Sequence, residues 1–286
     1  MSPAWKGTLF LTLGAACVFA ILRALPDTQC TLLHTGHEPV VQDGVAFCGV
    51  NEQANYYSPA ALRFPVSASL RFGSGKGELT LLVEGDRPLL AHEVAVSHTR
   101  KVHLHLRQEG GERAYAHVHP EPTDDGRWVF DLPAAFGSAA GGSSVKAFVD
   151  FTSMRTRRTM LAECRATLPG APTALAVEPG LVVRLEADRF RTDEAATIRV
   201  RLEGRGGRPV VLRPVMGALG HAVVFGDQAT NPGYAHMHPS WEGAERDDAP
   251  TLTFRLRMPP PGRYDLWIHV DDGVERFLRT EFEVTP

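Results

Sequence analysis

The sequence predicts an all-β protein: two tandem β-sandwich domains that follow an N-terminal membrane helix or signal peptide. Three observations carry this expectation. Twenty-seven glycines and 21 prolines are scattered without a period through 286 residues, the composition of many short elements joined by turns. From about residue 66 onward, short runs alternate apolar and polar side chains, the mark of strands with one buried face. A six-residue string also occurs twice, Tyr115-Ala116-His117-Val118-His119-Pro120 and Tyr234-Ala235-His236-Met237-His238-Pro239, which points to an internal duplication.

The N-terminal segment, 1–26, is apolar over 7–22 between Lys6 and Arg23. That length lies between a signal-peptide core and the ~20 residues of a full span. An uncleaved signal anchor is the first reading and a cleaved signal the second. Both place the rest of the chain outside the cytoplasm, in the periplasm or at the cell surface. Lys6 and Arg23 flank both ends, so charge does not orient the segment.

A leader over 27–65 follows, punctuated by Pro39, Pro59 and Pro65. An oxidising compartment favours a disulfide. Cys30–Cys48 closes the shortest loop, with Cys48–Cys164 as the rival pairing. Cys30, His34, His37 and Cys48 also have the residue types of a zinc site, but their spacing matches no finger.

The first domain, 66–168, contains alternating runs at 68–72, 78–83, 101–107, 128–132 and 145–151. Pro169-Gly170-Ala171-Pro172 reads as a linker. The second domain, 169–286, repeats the pattern at 181–187, 197–202, 210–213, 221–225, 234–238, 251–256, 263–270 and 277–284. His103 aligns with His221, the two Tyr-Ala-His-x-His-Pro strings coincide, and Asp150 aligns with His269.

The net charge of −3 and the absence of a basic stripe argue against nucleic-acid binding. Gly73-Ser74-Gly75-Lys76-Gly77 lacks the ending of a phosphate loop and reads as a hairpin turn, which leaves no nucleotide site. No Gly-x-Ser-x-Gly elbow or catalytic cysteine motif occurs, so the chain is not expected to be an enzyme.

The histidines are the candidate site. Residues two apart on a strand share a face, so His103 pairs with His105 and His117 with His119. A short connection makes these strands an antiparallel hairpin, with His105 opposite His117 and His103 opposite His119. Val102, Leu104, Leu106, Ala116 and Val118 then face the core. Four imidazoles on one face suit copper or zinc. In the second domain the set is His221, His236, His238 and His269, with Val223 in place of His105. Met216 and Met237 are thioether candidates for a softer ion, although Met237 should face the core. A structural reading stands beside the metal: the histidines would cap backbone carbonyls at the end of a sandwich.

On these residues the chain resembles a group of exported bacterial proteins with tandem immunoglobulin-like β-sandwiches. Their pattern, Ala-His-x-His-Pro followed by Pro-Gly-x-Tyr-x-Leu-Trp, is matched by 116–120, 235–239 and 261–267. The resemblance implies a cell-envelope location and an association with copper or other heavy metals. In general design it is also similar to periplasmic copper carriers. The first domain departs from the pattern at Val145-Lys146-Ala147-Phe148.

The expected function is a membrane-anchored, extracytoplasmic metal-binding protein, a carrier or buffer of copper or zinc, with the membrane and an envelope protein as partners. The alternative is a non-enzymatic structural or protein-interaction module of the cell envelope whose histidines are structural.

Overall fold

A computed structural model of the chain describes residues 3–24, 40–42, 45–47, 56–59, 62–83, 86–109, 114–133, 136, 142–168, 180–227, 230–239 and 249–286. The chain divides into two compact units, 1–37 and 38–286. In the first, α1 spans Pro3–Ala24. No helix among the described residues is long and apolar enough to cross a membrane. This overturns the expected anchor over 1–26 and the membrane as a partner. The uncharged stretch between Lys6 and Arg23 is too short for the ~20 apolar residues that a bilayer demands.

The second unit is all β. Its strands, in order, are β1 (Val40–Gln42), β2 (Val45–Phe47), β3 (Val66–Gly73), β4 (Lys76–Val83), β5 (Arg87–Pro88), β6 (Val94–Ala95), β7 (Val102–Gln108), β8 (Tyr115–Val118), β9 (Glu121–Pro122) and β10 (Arg127–Asp131). There follow β11 (Ser144–Ser153), β12 (Thr159–Thr167), β13 (Leu181–Leu185), β14 (Arg189–Arg191), β15 (Ala195–Gly204), β16 (His221–Gly226), β17 (Tyr234–Met237), β18 (Thr251–Arg257), β19 (Gly262–Asp271) and β20 (Glu275–Thr285).

Two sandwiches result. The first packs a sheet ordered β3-β4-β10-β9 on a sheet ordered β12-β11-β7-β8. The second packs β13-β15-β18 on β14-β20-β19-β16-β17. The four strands β12-β11-β7-β8 and β20-β19-β16-β17 are equivalent in order and connection, as duplication requires. Alternation fills each core. Val102, Leu104, Leu106, Ala116, Val145, Ala147 and Val149 join Leu79, Leu81 and Trp128 in the first. Ala222, Val224, Met237, Leu266 and Ile268 join Ile198, Val200 and Phe254 in the second.

The polar faces of these two sheets do not face water. They lie against each other. Tyr115 and Phe148 of the first sandwich pack with Val223, Phe225, Tyr234 and Trp267 of the second. Phe148 lies 4.7 Å from Tyr234, ring centre to ring centre, and Tyr115 lies 5.2 Å from Trp267. Aromatic side chains bury ~150–250 Å² each, so such a wall dominates the energetics of a joint. Beside it, Arg107 donates to Asp265 at 2.6 Å across the joint, and Arg279 donates to the same carboxylate at 2.6 Å.

The joint is strapped by the segment before β3. The Tyr57 N–H donates to the Tyr234 carbonyl at 2.7 Å, and the Tyr234 N–H returns a bond to the Tyr57 carbonyl at 3.0 Å. The Tyr56 hydroxyl donates to the Asn231 carbonyl at 2.8 Å and accepts from the Gly226 N–H at 2.9 Å. Gly226 and Gly233 have no room for a Cβ here: it would meet Asn231 O at 2.0 Å and Tyr57 O at 2.0 Å respectively.

Two further expectations change. Residues 210–213 form no strand, only an isolated bridge from Arg213 to Asp271. Pro209 and Pro214 bracket the run and remove ladder donors. The expected Cys30–Cys48 disulfide lies outside the described residues, as does the Cys30, His34, His37 and Cys48 cluster. The described cysteines, Cys17 and Cys164, are free thiols, which excludes the Cys48–Cys164 pairing. Cys164 lies within β12 opposite Ala147, where burial pushes its thiol up to about 12.

Candidate metal centre

Strand register brings the histidines together. Within the first sandwich, β7 and β8 pair so that His105 is opposite His117, and β11 places Asp150 opposite His103. Within the second, β16 pairs His221 with His269 on β19 and Val223 with His236 on β17. His119 and His238 stand just past the ends of β8 and β17, where prolines stop the ladder.

Because the two sheets meet face to face, these sets form a single cluster. His236 lies 4.6 Å from His105, 5.1 Å from His117 and 5.5 Å from His103, ring centre to ring centre. His117 lies 5.6 Å from His269, and His98 lies 3.8 Å from His238. No periodicity singles out His98, which occupies a turn with φ +48° outside any strand.

The atomic contacts follow the duplication. His103 Nδ1 faces His117 Nε2 at 3.2 Å, and His221 Nδ1 faces His236 Nε2 at 3.4 Å. On their other sides, His103 Nε2 is 3.1 Å from the Ser97 carbonyl and His221 Nε2 is 3.0 Å from the Val215 carbonyl. A carbonyl only accepts, so each Nε2 carries the proton and each Nδ1 presents a lone pair inward. Asp150 replaces this pattern at the centre. Its Oδ2 is 3.2 Å from His105 Nε2, accepts from the Tyr234 hydroxyl at 3.3 Å and lies 3.4 Å from His236 Nδ1. His105 Nδ1 in turn meets the Tyr115 hydroxyl at 2.9 Å. The two tyrosines share strand parity with the histidines that follow them, a signal that the repeated string already contained.

Burial favours the neutral form of several rings. Burial drives His117, His221 and His238 well below the usual imidazole range. It also takes His236 to about 3, His98 to about 4 and His119 to about 2. Burial opposes the charge of Asp150, but His236 and His105 outweigh it and hold the carboxyl well below its ordinary value. Neutral imidazole and ionised carboxylate are the ligand forms of a transition metal.

Among the described residues, three groups have ligand atoms close enough to hold a metal ion: His103, His117 and His236; His221, His236 and His238; and His105, Asp150 and His236. All nine of these memberships are buried, and His236 belongs to every group. Five buried imidazole nitrogens in the cluster have no hydrogen-bond partner among the described residues: His117 Nδ1, His119 Nε2, His236 Nδ1, His238 Nε2 and His269 Nδ1. Each such atom costs ~1–3 kcal/mol. Together they approach the ~5–15 kcal/mol that stabilises a typical fold. His269 Nε2 is 2.7 Å from Glu275 Oε1, the outer partner that a ligating histidine needs.

This burial also overturns the carrier-or-buffer reading, already weakened by the loss of its anchor. A carrier exchanges its ion with the outside, and these groups are closed between two sheets. With the anchor goes the expected attachment of the protein to a membrane.

Residues 176–285, the span of the second sandwich, match the model of a family described as a domain of unknown function, DUF8832. No curated protein matches the chain. Among solved structures, the chain is similar to a crystal structure of a tetra-tandem repeat in the extending region of a large adhesion protein. The identity is 13% and the TM-score 0.23, over 76% of this chain and 48% of that one. The chain thus spans about half the length of that structure. The described residues form two β-sandwiches, and the sequence carries no Gly-x-Ser-x-Gly elbow or catalytic cysteine motif.

Proposed function

We propose that the chain is a non-enzymatic structural module in which two β-sandwiches are locked face to face, with a transition metal ion, zinc or copper, held between them. The observation that carries this reading is the set of unpartnered, buried imidazole nitrogens in the joint. Ligation gives such nitrogens the partner that a metal-free cluster withholds, His236 Nδ1 and His238 Nε2 among them. The spacing agrees. Tetrahedral ligands at ~2.0–2.1 Å stand about 3.3 Å apart, and the two inward nitrogen pairs stand at 3.2 and 3.4 Å. Two of the three ligand groups combine residues of both sandwiches, so the ion ties them together.

Thermal unfolding of the chelator-stripped chain, with and without Zn²⁺ or Cu²⁺, tests this. Ligation of the folded state raises stability by ~4 kcal/mol when free ion reaches a thousand times its dissociation constant. The expected result is a rise in melting temperature that saturates with added ion. No binding tighter than millimolar, with a melting temperature indifferent to both ions, overturns the reading.

A further inference from the structure

We infer that His236 is a shared ligand, its imidazole ring bridging two metal ions, one in each of the ligand groups it joins through opposite nitrogens. This rests on the metal reading above and specifies its nuclearity.

Three ligand groups claim His236, but an imidazole has two nitrogens, so at most two of the groups can use it together. The contacts select which two. His236 Nε2 faces His221 Nδ1 at 3.4 Å, within the group that His238 completes. His236 Nδ1 faces the other way, 3.4 Å from Asp150 Oδ2, within the group that His105 completes. It makes no hydrogen bond there. One ring thus presents one nitrogen to each of two three-residue sets.

The outer partners fit the same assignment. Val215 O holds His221 by its Nε2–H at 3.0 Å. The Tyr115 oxygen stands 2.9 Å from His105 Nδ1 and accepts a hydrogen bond from its N–H when Nε2 ligates. Both rings are thereby fixed with a lone pair inward. His238 keeps a buried, unpartnered Nε2 for the first ion.

Proton release accompanies the second ion. When the second ion binds, the remaining ring N–H proton of His236 leaves to solvent and the ring becomes an imidazolate. Two bonds of ~2.0–2.1 Å to opposite nitrogens put the ions about 6 Å apart. The imidazolate and the Asp150 carboxylate supply two of the four negative charges that two divalent ions require. The first ion is held by the second sandwich alone, through residues of β16 and β17 and the segment after it. The second ion reaches across to His105 on β7 and Asp150 on β11. It is therefore the second ion that clamps the joint.

The test loads the chelator-stripped full chain with Cu²⁺ alone and measures bound copper by mass spectrometry and unpaired spin by frozen-solution electron paramagnetic resonance. An imidazolate between two Cu²⁺ ions couples their spins, so the expected result is two coppers per chain with most of the integrated signal lost at low temperature. His238→Ala should then hold one copper with its full signal restored. No bound copper overturns the metal reading itself. One copper per chain overturns the bridge and leaves that reading standing. Two coppers with full spin intensity, or His238→Ala retaining a coupled pair, overturn the sharing of His236.

Discussion

His105 and His236 belong to different sandwiches, their rings stand 4.6 Å apart, edge against face, and both reach the same Asp150 carboxylate oxygen. That proximity makes the joint between the sandwiches, not either sandwich alone, the place where the histidines act. The joint has other anchors, and these can be tested without a metal.

The Arg107–Asp265 pair is buried and crosses the joint at 2.6 Å. Asp265→Ala leaves Arg107 buried without its carboxylate and should destabilise the protein by ~3–5 kcal/mol. Arg279→Ala removes a partner that is a third exposed and should cost no more than ~1 kcal/mol. Urea denaturation of the two variants checks the contrast, and equal losses would show that the pair does not hold the joint.

Tyr56→Phe deletes a hydroxyl that serves both Asn231 and Gly226. The ring still packs edge-on to Tyr264 at 5.6 Å, so the loss isolates the two hydrogen bonds. A cost of ~1–3 kcal/mol is expected. A wild-type denaturation midpoint would mean that the strap contributes nothing.

Acidification should loosen the metal-free chain. The unfolded histidine pKa is ~6.5, while burial holds His236 at about 3 and His119 at about 2 in the fold. Below pH ~6.5 the unfolded chain therefore binds protons that the folded chain refuses. Stability then falls as the pH drops, by ~1.4 kcal/mol per unit for each such histidine, until the folded values are reached. Denaturation midpoints between about pH 7.5 and 5.5 report this slope. A flat profile would mean that the rings are not neutral and buried.

The alternation of Val102, Leu104 and Leu106 with His103, His105 and Arg107 was enough to read both the strand and its core-facing side, because a period of two is local. The same holds for the His105–His117 register, which a short hairpin connection imposes. What covers the polar face was not legible. Alternation says which side chains share a face and is silent about a second sheet lying against them. The clues were present as parity: Asp265, Trp267 and His269 share one face of β19, as Tyr115 and His117 share one of β8. They acquire meaning only once the two faces meet. Tyr56 and Tyr57 lie in a leader without periodicity, so nothing local marked them as a strap. The N-terminal segment shows the opposite failure, since its local apolar run suggested a membrane span that its length does not sustain.

Anomalous diffraction from crystals of the zinc- or copper-loaded chain, collected at the metal's absorption edge, tests the central claim most directly. The account predicts density in the joint, within ~2.0–2.1 Å of ligand nitrogens that include His236 of the second sandwich and a histidine of the first, such as His105. A joint without anomalous density, or metal only on exposed groups such as His92, would contradict it.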